Sequence, residues 1–256
     1  MRYPNLKAAP FVVTLGIAAA LPAWAAGQPI SGRHGTIDQR NTTTRPGAPT
    51  GFSFSGAYHA AGNPRADPPY MRRMTFYQPR GMRYDTSVPA RCTASDLELE
   101  AFGPAACPAA SRLGGGEIKG VWMGRFRSTL HMDIFNNTGE QVVVARTPYI
   151  AFVARGRFSR DRSSIEWDSP TCWPTPPVGC PVDNTLQLAA IQKVKPYTRT
   201  VRGVVRSYLT TPPRCPAAGY WKTPVRLWWA DGTTDTMVTK QHCARSRGKA
   251  RGRRRG

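Results

Sequence analysis

The sequence predicts an all-β fold: a disulfide-stapled β-sandwich, immunoglobulin-like or jelly-roll-like, with one short helix. Three observations lead there. Gly and Pro number 24 each in 256 residues, a density that long helices do not tolerate and that turns require. Short apolar runs, several of them alternating, recur with turn signals about every ten residues, the pattern of sandwiches and barrels. The cysteines Cys92, Cys107, Cys172, Cys180, Cys215 and Cys243 make an even set, suited to cross-linking. Collagen is excluded, since Gly does not recur at every third position.

The chain divides into four parts. Residues 1–25 read as a signal peptide: Arg2 and Lys7 are followed by an apolar run from Ala8 to Leu21, then Pro22 and the small-x-small triplet Ala23-Trp24-Ala25. That run is shorter than the ~20 residues a spanning helix needs. No later segment is long and apolar enough to span a membrane, and no cysteine follows the cleavage site to carry a lipid. Residues 26–49 are rich in Gly, Pro, Thr and Arg and read as a disordered leader. Residues 50–243 form the single folded domain. Residues 244–256, ARSRGKARGRRRG, read as a disordered basic tail.

Within the domain, Met74, Phe76 and Gln78 alternate with Arg73, Thr75 and Tyr77 up to the turn Pro79-Arg80-Gly81. A helix follows. Ser95-x-x-Glu98 is a capping box, Asp96, Glu98 and Glu100 suit the positive N-terminal end, and Gly103 closes it. Its buried side is expected to pair Leu97 with Ala101 and Leu99 with Phe102. Gly114-Gly115-Gly116 reads as a turn. Strands are expected over 121–126, 130–135 and 142–144, the last after the turn Asn136-Asn137-Thr138-Gly139. Runs at 149–153 and 165–167 flank a polar turn at 159–164. Leu186, Leu188, Ala190 and Val194 share one face of the next strand, and 201–209 is read as one more. The hairpin is the clearest element: Val225, Leu227 and Trp229 alternate inward, Asp231-Gly232 turns, and 233–239 returns.

Export makes the cysteines legible as disulfides. Six cysteines allow fifteen connectivities, and local closure suggests 92–107, 172–180 and 215–243. Closing the longer loops would stabilise by roughly 3 to 4 kcal/mol each. There is no C-x-x-C pair, and His34, His59, His131 and His242 are not at ligand spacing, so neither metal nor cofactor is expected.

Arg91-Cys92-Thr93-Ala94-Ser95-Asp96-Leu97, Gly103-Pro104-Ala105-Ala106-Cys107-Pro108 and Ser111-Arg112-Leu113-Gly114-Gly115-Gly116 carry a resemblance. With Cys215-Pro216-x-x-Gly219-x-Trp221, Asp231-Gly232 and Cys243, they resemble uncharacterised secreted β-rich proteins of high-GC Gram-positive bacteria. The resemblance covers the surroundings of the first and last cysteine pairs and implies export and a β-fold. It implies no activity. Arg outnumbers Lys 29 to 7, which fits such an origin.

Few constellations suggest chemistry. Glu166 and Asp168 are two apart in a strand and therefore on one face, as in the paired acids of glycoside hydrolysis. Thr171 stands where a third acid of a glucanase pattern would be. His131 and Asp133 share a face in the same way. Gly51-Phe52-Ser53-Phe54-Ser55 lacks the closing Gly of a nucleophile elbow. No motif supports sequence-specific reading of nucleic acid.

Two features could bind a ligand. Trp122 and Trp228 could stack on sugar rings, with Trp228 opposing an inward Trp229. The tail carries Arg245, Arg247, Lys249, Arg251, Arg253, Arg254 and Arg255. Of a formal net charge of +21, seven charges are in that tail and two in the signal peptide, so the remainder is itself basic. Arg72, Arg73, Arg80, Arg83, Arg125, Arg127, Arg155, Arg157, Arg160 and Arg162 would supply a basic face. The expectation is an exported, non-enzymatic envelope or extracellular protein whose tail and basic face associate with anionic cell-wall polymer. The alternative is a carbohydrate-active enzyme using Glu166 and Asp168, or a sugar-binding module.

Overall fold

The structure, a computed structural model, describes residues 29–122, 126–147, 151–169 and 186–244, and within the strands the side chains of 122, 126 and 186 are not described. The segment 1–25 expected to be a signal peptide, Arg125, the expected Cys172–Cys180 pair and the seven basic residues from Arg245 to Arg255 lie outside the described residues.

The chain is all-β, stapled by disulfides, with one α-helix among the described residues. In order the elements are β1 Ile30–Ser31, β2 Gly35–Asn41, β3 Phe52–Tyr58, β4 Met71–Tyr77, β5 Arg83–Tyr84 and α1 Asp96–Phe102. Next come β6 Arg112–Trp122, β7 Phe126–Asn137, β8 Glu140–Arg146, β9 Ala151–Phe158, β10 Ser164–Asp168 and β11 Leu186–Val194. The last are β12 Thr198–Val201, β13 Val204–Ser207, β14 Leu209–Thr210, β15 Tyr220–Trp229 and β16 Thr234–His242.

Twelve strands form one antiparallel sheet, ordered β1-β2-β3-β11-β6-β7-β8-β9-β10-β4-β15-β16. It curls into a nearly closed, barrel-like sandwich whose last strand meets its first. That seam is made largely by side chains. The Gln241 amide accepts from the Asn41 N–H at 2.7 Å and donates to the Asn41 carbonyl at 2.8 Å. Asp235 of β16 accepts the backbone N–H groups of Arg33 and His34 at 2.8 and 3.0 Å.

Alternation along each strand fills the interior. Ile37, Phe54, Met74, Phe76, Met132, Ile134, Val225, Leu227 and Trp229 point into one core. Trp167 fits there because Gly156 stands opposite it on β9, where a Cβ would come 2.3 Å from the indole. Gln39, Gln141 and Gln192 are buried in a polar layer with the half-buried Gln78, lining one void with Tyr84. β5 and β14 cap that end, bringing Tyr84 against Tyr208. Burial pushes both phenols above their ordinary value, and the Gln141 amide donates to the Tyr208 oxygen at 2.8 Å.

A second, smaller core lies outside the sheet. Leu99 of α1 packs with Phe135, Val142, Val144 and the Cys92–Cys107 disulfide. Ser95 caps the helix as the sequence predicts: its hydroxyl accepts from the Glu98 N–H, and the Glu98 carboxylate accepts from the Ser95 N–H. The second staple joins Cys215 to Cys243.

Four expectations are corrected. Residues 29–49 are not a disordered leader, because β1 and β2 are paired strands of the sheet. The segment needs few large apolar groups: Ile37 and Gln39 face inward, and β3 supplies a full ladder. Beyond it, the Thr42, Gly47 and Thr50 N–H groups find carbonyls of Gly51, Pro212 and Leu209. Leu97 and Phe102 do not pack beneath the helix. They are 73% and 68% exposed while Leu99 is fully buried, since seven residues present only one apolar position to the sheet. Gly114-Gly115-Gly116 is inside β6 and not a turn. The expected strand over 201–209 is the hairpin β12–β13 followed by β14; Arg202 and Gly203, with φ of 50° and 77°, form its two-residue turn.

Candidate functional site

The two sequence-predicted acids do share a face. Glu166 and Asp168 lie on the outer surface of β10, opposite Thr75 and Arg73 of β4. The Arg73 Nε donates to Asp168 at 2.8 Å and lies 3.6 Å from Glu166, while the Thr75 hydroxyl donates to Glu166 at 3.2 Å. The hydrogen bond it donates to Asp168, with the charges of both acids, raises the Arg73 guanidinium above its ordinary value. Among the described residues the pair is thus a partner set for an arginine on the outer sheet face.

Trp228 is beside it, half-buried, opposite to the fully buried Trp229 as alternation requires. The guanidinium carbons of Arg226 and Arg73 lie 4.9 and 5.9 Å from its ring centroid. The ring is therefore already engaged by cations. Trp122 ends β6, and its side chain is not described.

Four of the arginines expected to supply a basic face have local partners. Arg127 is held by Asp67, Arg155 by Asp96 and Glu140, Arg73 by Asp168, and Arg162 donates to the Tyr84 carbonyl. Acids thus balance Arg73, Arg127 and Arg155, while Arg162 meets only a neutral carbonyl. His131 and Asp133 share an outer face but serve separate partners: Asp133 binds Arg112 at 2.5 Å, and His131 lies 3.6 Å from Glu117.

Unpaired positive charge collects elsewhere. An external groove of about 940 Å³ runs between the barrel wall and the segment after α1. Gly114, Gly115 and Gly116 line its floor. Gly114 and Gly116 are required by close strand approach, since a Cβ at either would come within 1.9 Å of a β11 carbonyl oxygen. Gly115 pairs with Lys193 on one side and Asp133 on the other, so bare backbone separates those two outer side chains. Pro104, Ala105, Cys107 and Ala109 form one bank, fixed by the Cys92–Cys107 staple.

Arg112, Arg146, Lys193 and Lys195 line this groove with a single acid, Asp133, which Arg112 takes. Arg146, Lys193 and Lys195 have no carboxylate partner among the described residues. Sequence reasoning missed the site because its cations come from three separated strands and the segment after β11. The only local signal was the glycine run, and it was assigned to a turn.

A further buried cluster ties the seam. The His34 ring lies between Asp235 and Asp231, at 3.1 and 3.5 Å, and is 5.0 Å from the Trp229 ring. It joins the β1–β2 turn to the β15–β16 hairpin. No nucleophile is placed beside it among the described residues.

No known protein family, no curated protein and no solved structure matches the chain.

Proposed function

We propose that this is an exported, non-enzymatic envelope protein that holds an anionic cell-wall polymer along the Gly114–Gly116 groove. The observation carrying the reading is the set of three cations, Arg146, Lys193 and Lys195, with no carboxylate partner among the described residues, on a groove floored by bare backbone. A flexible polyanion can lie close to such a floor, and its phosphate or carboxylate groups meet cations on both sides. The basic tail from Arg245 to Arg255 extends the attraction over a longer range, in the manner of any solvated charge run. Two disulfides suit an oxidising compartment, and the 1–25 segment is the export signal. Membership in the secreted group that the cysteine motifs resemble is part of this reading.

The test is co-sedimentation of the protein with isolated cell wall across a salt series. A Lys193→Glu/Arg146→Glu variant and a chain ending at Ala244 run beside it. Binding should fall steeply with salt, and the groove variant should bind at least roughly tenfold more weakly. Binding unchanged in the groove variant but abolished by the truncation would overturn the groove and leave the tail alone. Binding unaffected by salt, tail and groove would overturn the electrostatic reading altogether.

A further inference from the structure

The barrel interior holds a second cavity, on the opposite side of the sheet from the groove and independent of it. Its volume is about 80 Å³, and its walls include Met71, Met74, Met132, Val143, Phe152 and Trp167. Asp168, Ser169 and Gln187 lie at its polar edge, where β10 ends and β11 begins. Apart from Tyr70, Gln192 and the groups at that edge, the described walls are thioether, aliphatic and aromatic, so an occupant with an apolar body and a polar group on one side is favoured over water alone. Thioether sulfurs make favourable contacts with aromatic rings, and Met side chains adapt to irregular shapes. That adaptability matters, because a cavity of about 150 Å³ is needed to take a benzene without adjustment.

Trp167 and Gln192 line both this cavity and a smaller void of about 10 Å³. Gln39 and Gln78 also line that void, and the Oε1 atom of each is buried with no partner among the described residues. Two lone acceptors call for a donor. No Lys, Arg or His lines the larger cavity among the described residues, so an anion would lose its hydration there without compensation.

We propose that the lumen binds a small neutral molecule, one aromatic ring in size, whose hydrogen-bond donor points toward the Gln39 and Gln78 acceptors. This ligand class differs from the polyanion of the groove, so either site can fail without the other.

The experiment is thermal unfolding of the full chain with phenol, benzene or benzoate. Phenol at ten times its Kd should raise Tm by about 3–5 °C. Benzene should bind more weakly and benzoate not at all. Gln78→Leu should remove the advantage of phenol over benzene. Ala154→Phe, which fills the cavity from β9, should abolish both shifts. On the unaltered protein, the fluorine resonance of 4-fluorophenol should move saturably and return on adding phenol. No shift with phenol or benzene, an equal shift with benzoate, or a shift that survives Ala154→Phe would overturn the proposal.

Discussion

The His34 imidazole lies 3.1 Å from the Asp235 carboxylate, across the seam where β2 meets β16. Both side chains are buried, with the residues 1% and 5% exposed. The carboxylate also accepts the N–H groups of Arg33 and His34 and the Trp229 indole N–H at 3.1 Å. Burial pushes the Asp235 carboxyl up, but these donors outweigh it and leave it below the ordinary carboxylate range. Asp231, held down first by its bonds from Thr233, faces the other ring nitrogen at 3.5 Å. One acid thus satisfies four donors that would otherwise be stranded at the closure of the barrel.

Replacing it should open the seam. Asp235→Ala strands the Trp229 indole N–H, two backbone N–H groups and the His34 ring in a buried position. The expected loss is about 3 kcal/mol or more, read as a lower urea midpoint. Retention of the midpoint within about 0.5 kcal/mol would show that water replaces the carboxylate without penalty.

The same acids set a pH dependence. Asp235 and Asp231 are both lowered on folding, so their contribution is fully present above the unfolded carboxylate value of about 4. It is lost as pH falls through their lower folded values. Unfolding free energy should therefore decline below about pH 4 through these groups, and Asp235→Ala should decline less steeply. Urea midpoints from pH 2.5 to 7 measure both slopes, and parallel slopes would contradict the assignment.

The helix offers a matched pair of substitutions two residues apart. Leu99→Ala removes the fully buried contact with Phe135, Val142 and Val144 and should destabilise by about 2–4 kcal/mol. Leu97→Ala changes an exposed side chain and should stay within about 0.5 kcal/mol. Thermal unfolding separates the two, and equal effects would mean that α1 presents a different face in solution.

The fold class was legible because alternation and turn chemistry are local. Met74 and Phe76, Trp229 against Trp228, and the Asp231-Gly232 turn each follow from neighbours a few residues away. The Ser95 capping box is likewise complete within four residues. What could not be read depended on distant partners. β2 has little apolar bulk of its own, and its order comes from β3 and from Asp235, about two hundred residues on. The glycine run of β6 looks like a turn until Lys193 and Ile191 on β11 supply the carbonyls that forbid a Cβ. Glu166 and Asp168 were placed on one face correctly, but the arginine that occupies them is on β4. The groove was hidden for the same reason, since Arg112, Arg146, Lys193 and Lys195 share no sequence neighbourhood.

The seam also orders events in time. Its contacts join residues separated by 200 to 202 positions, so they cannot form until nearly the whole chain has left the ribosome. A nascent chain ending before Asp235 lacks the clasp, leaves β2 without its side-chain partners on β16, and remains open at one edge. Long-range closure of this kind is slow compared with local hairpins. The barrel therefore stays open along this seam until β15 and β16 arrive, and closes only then.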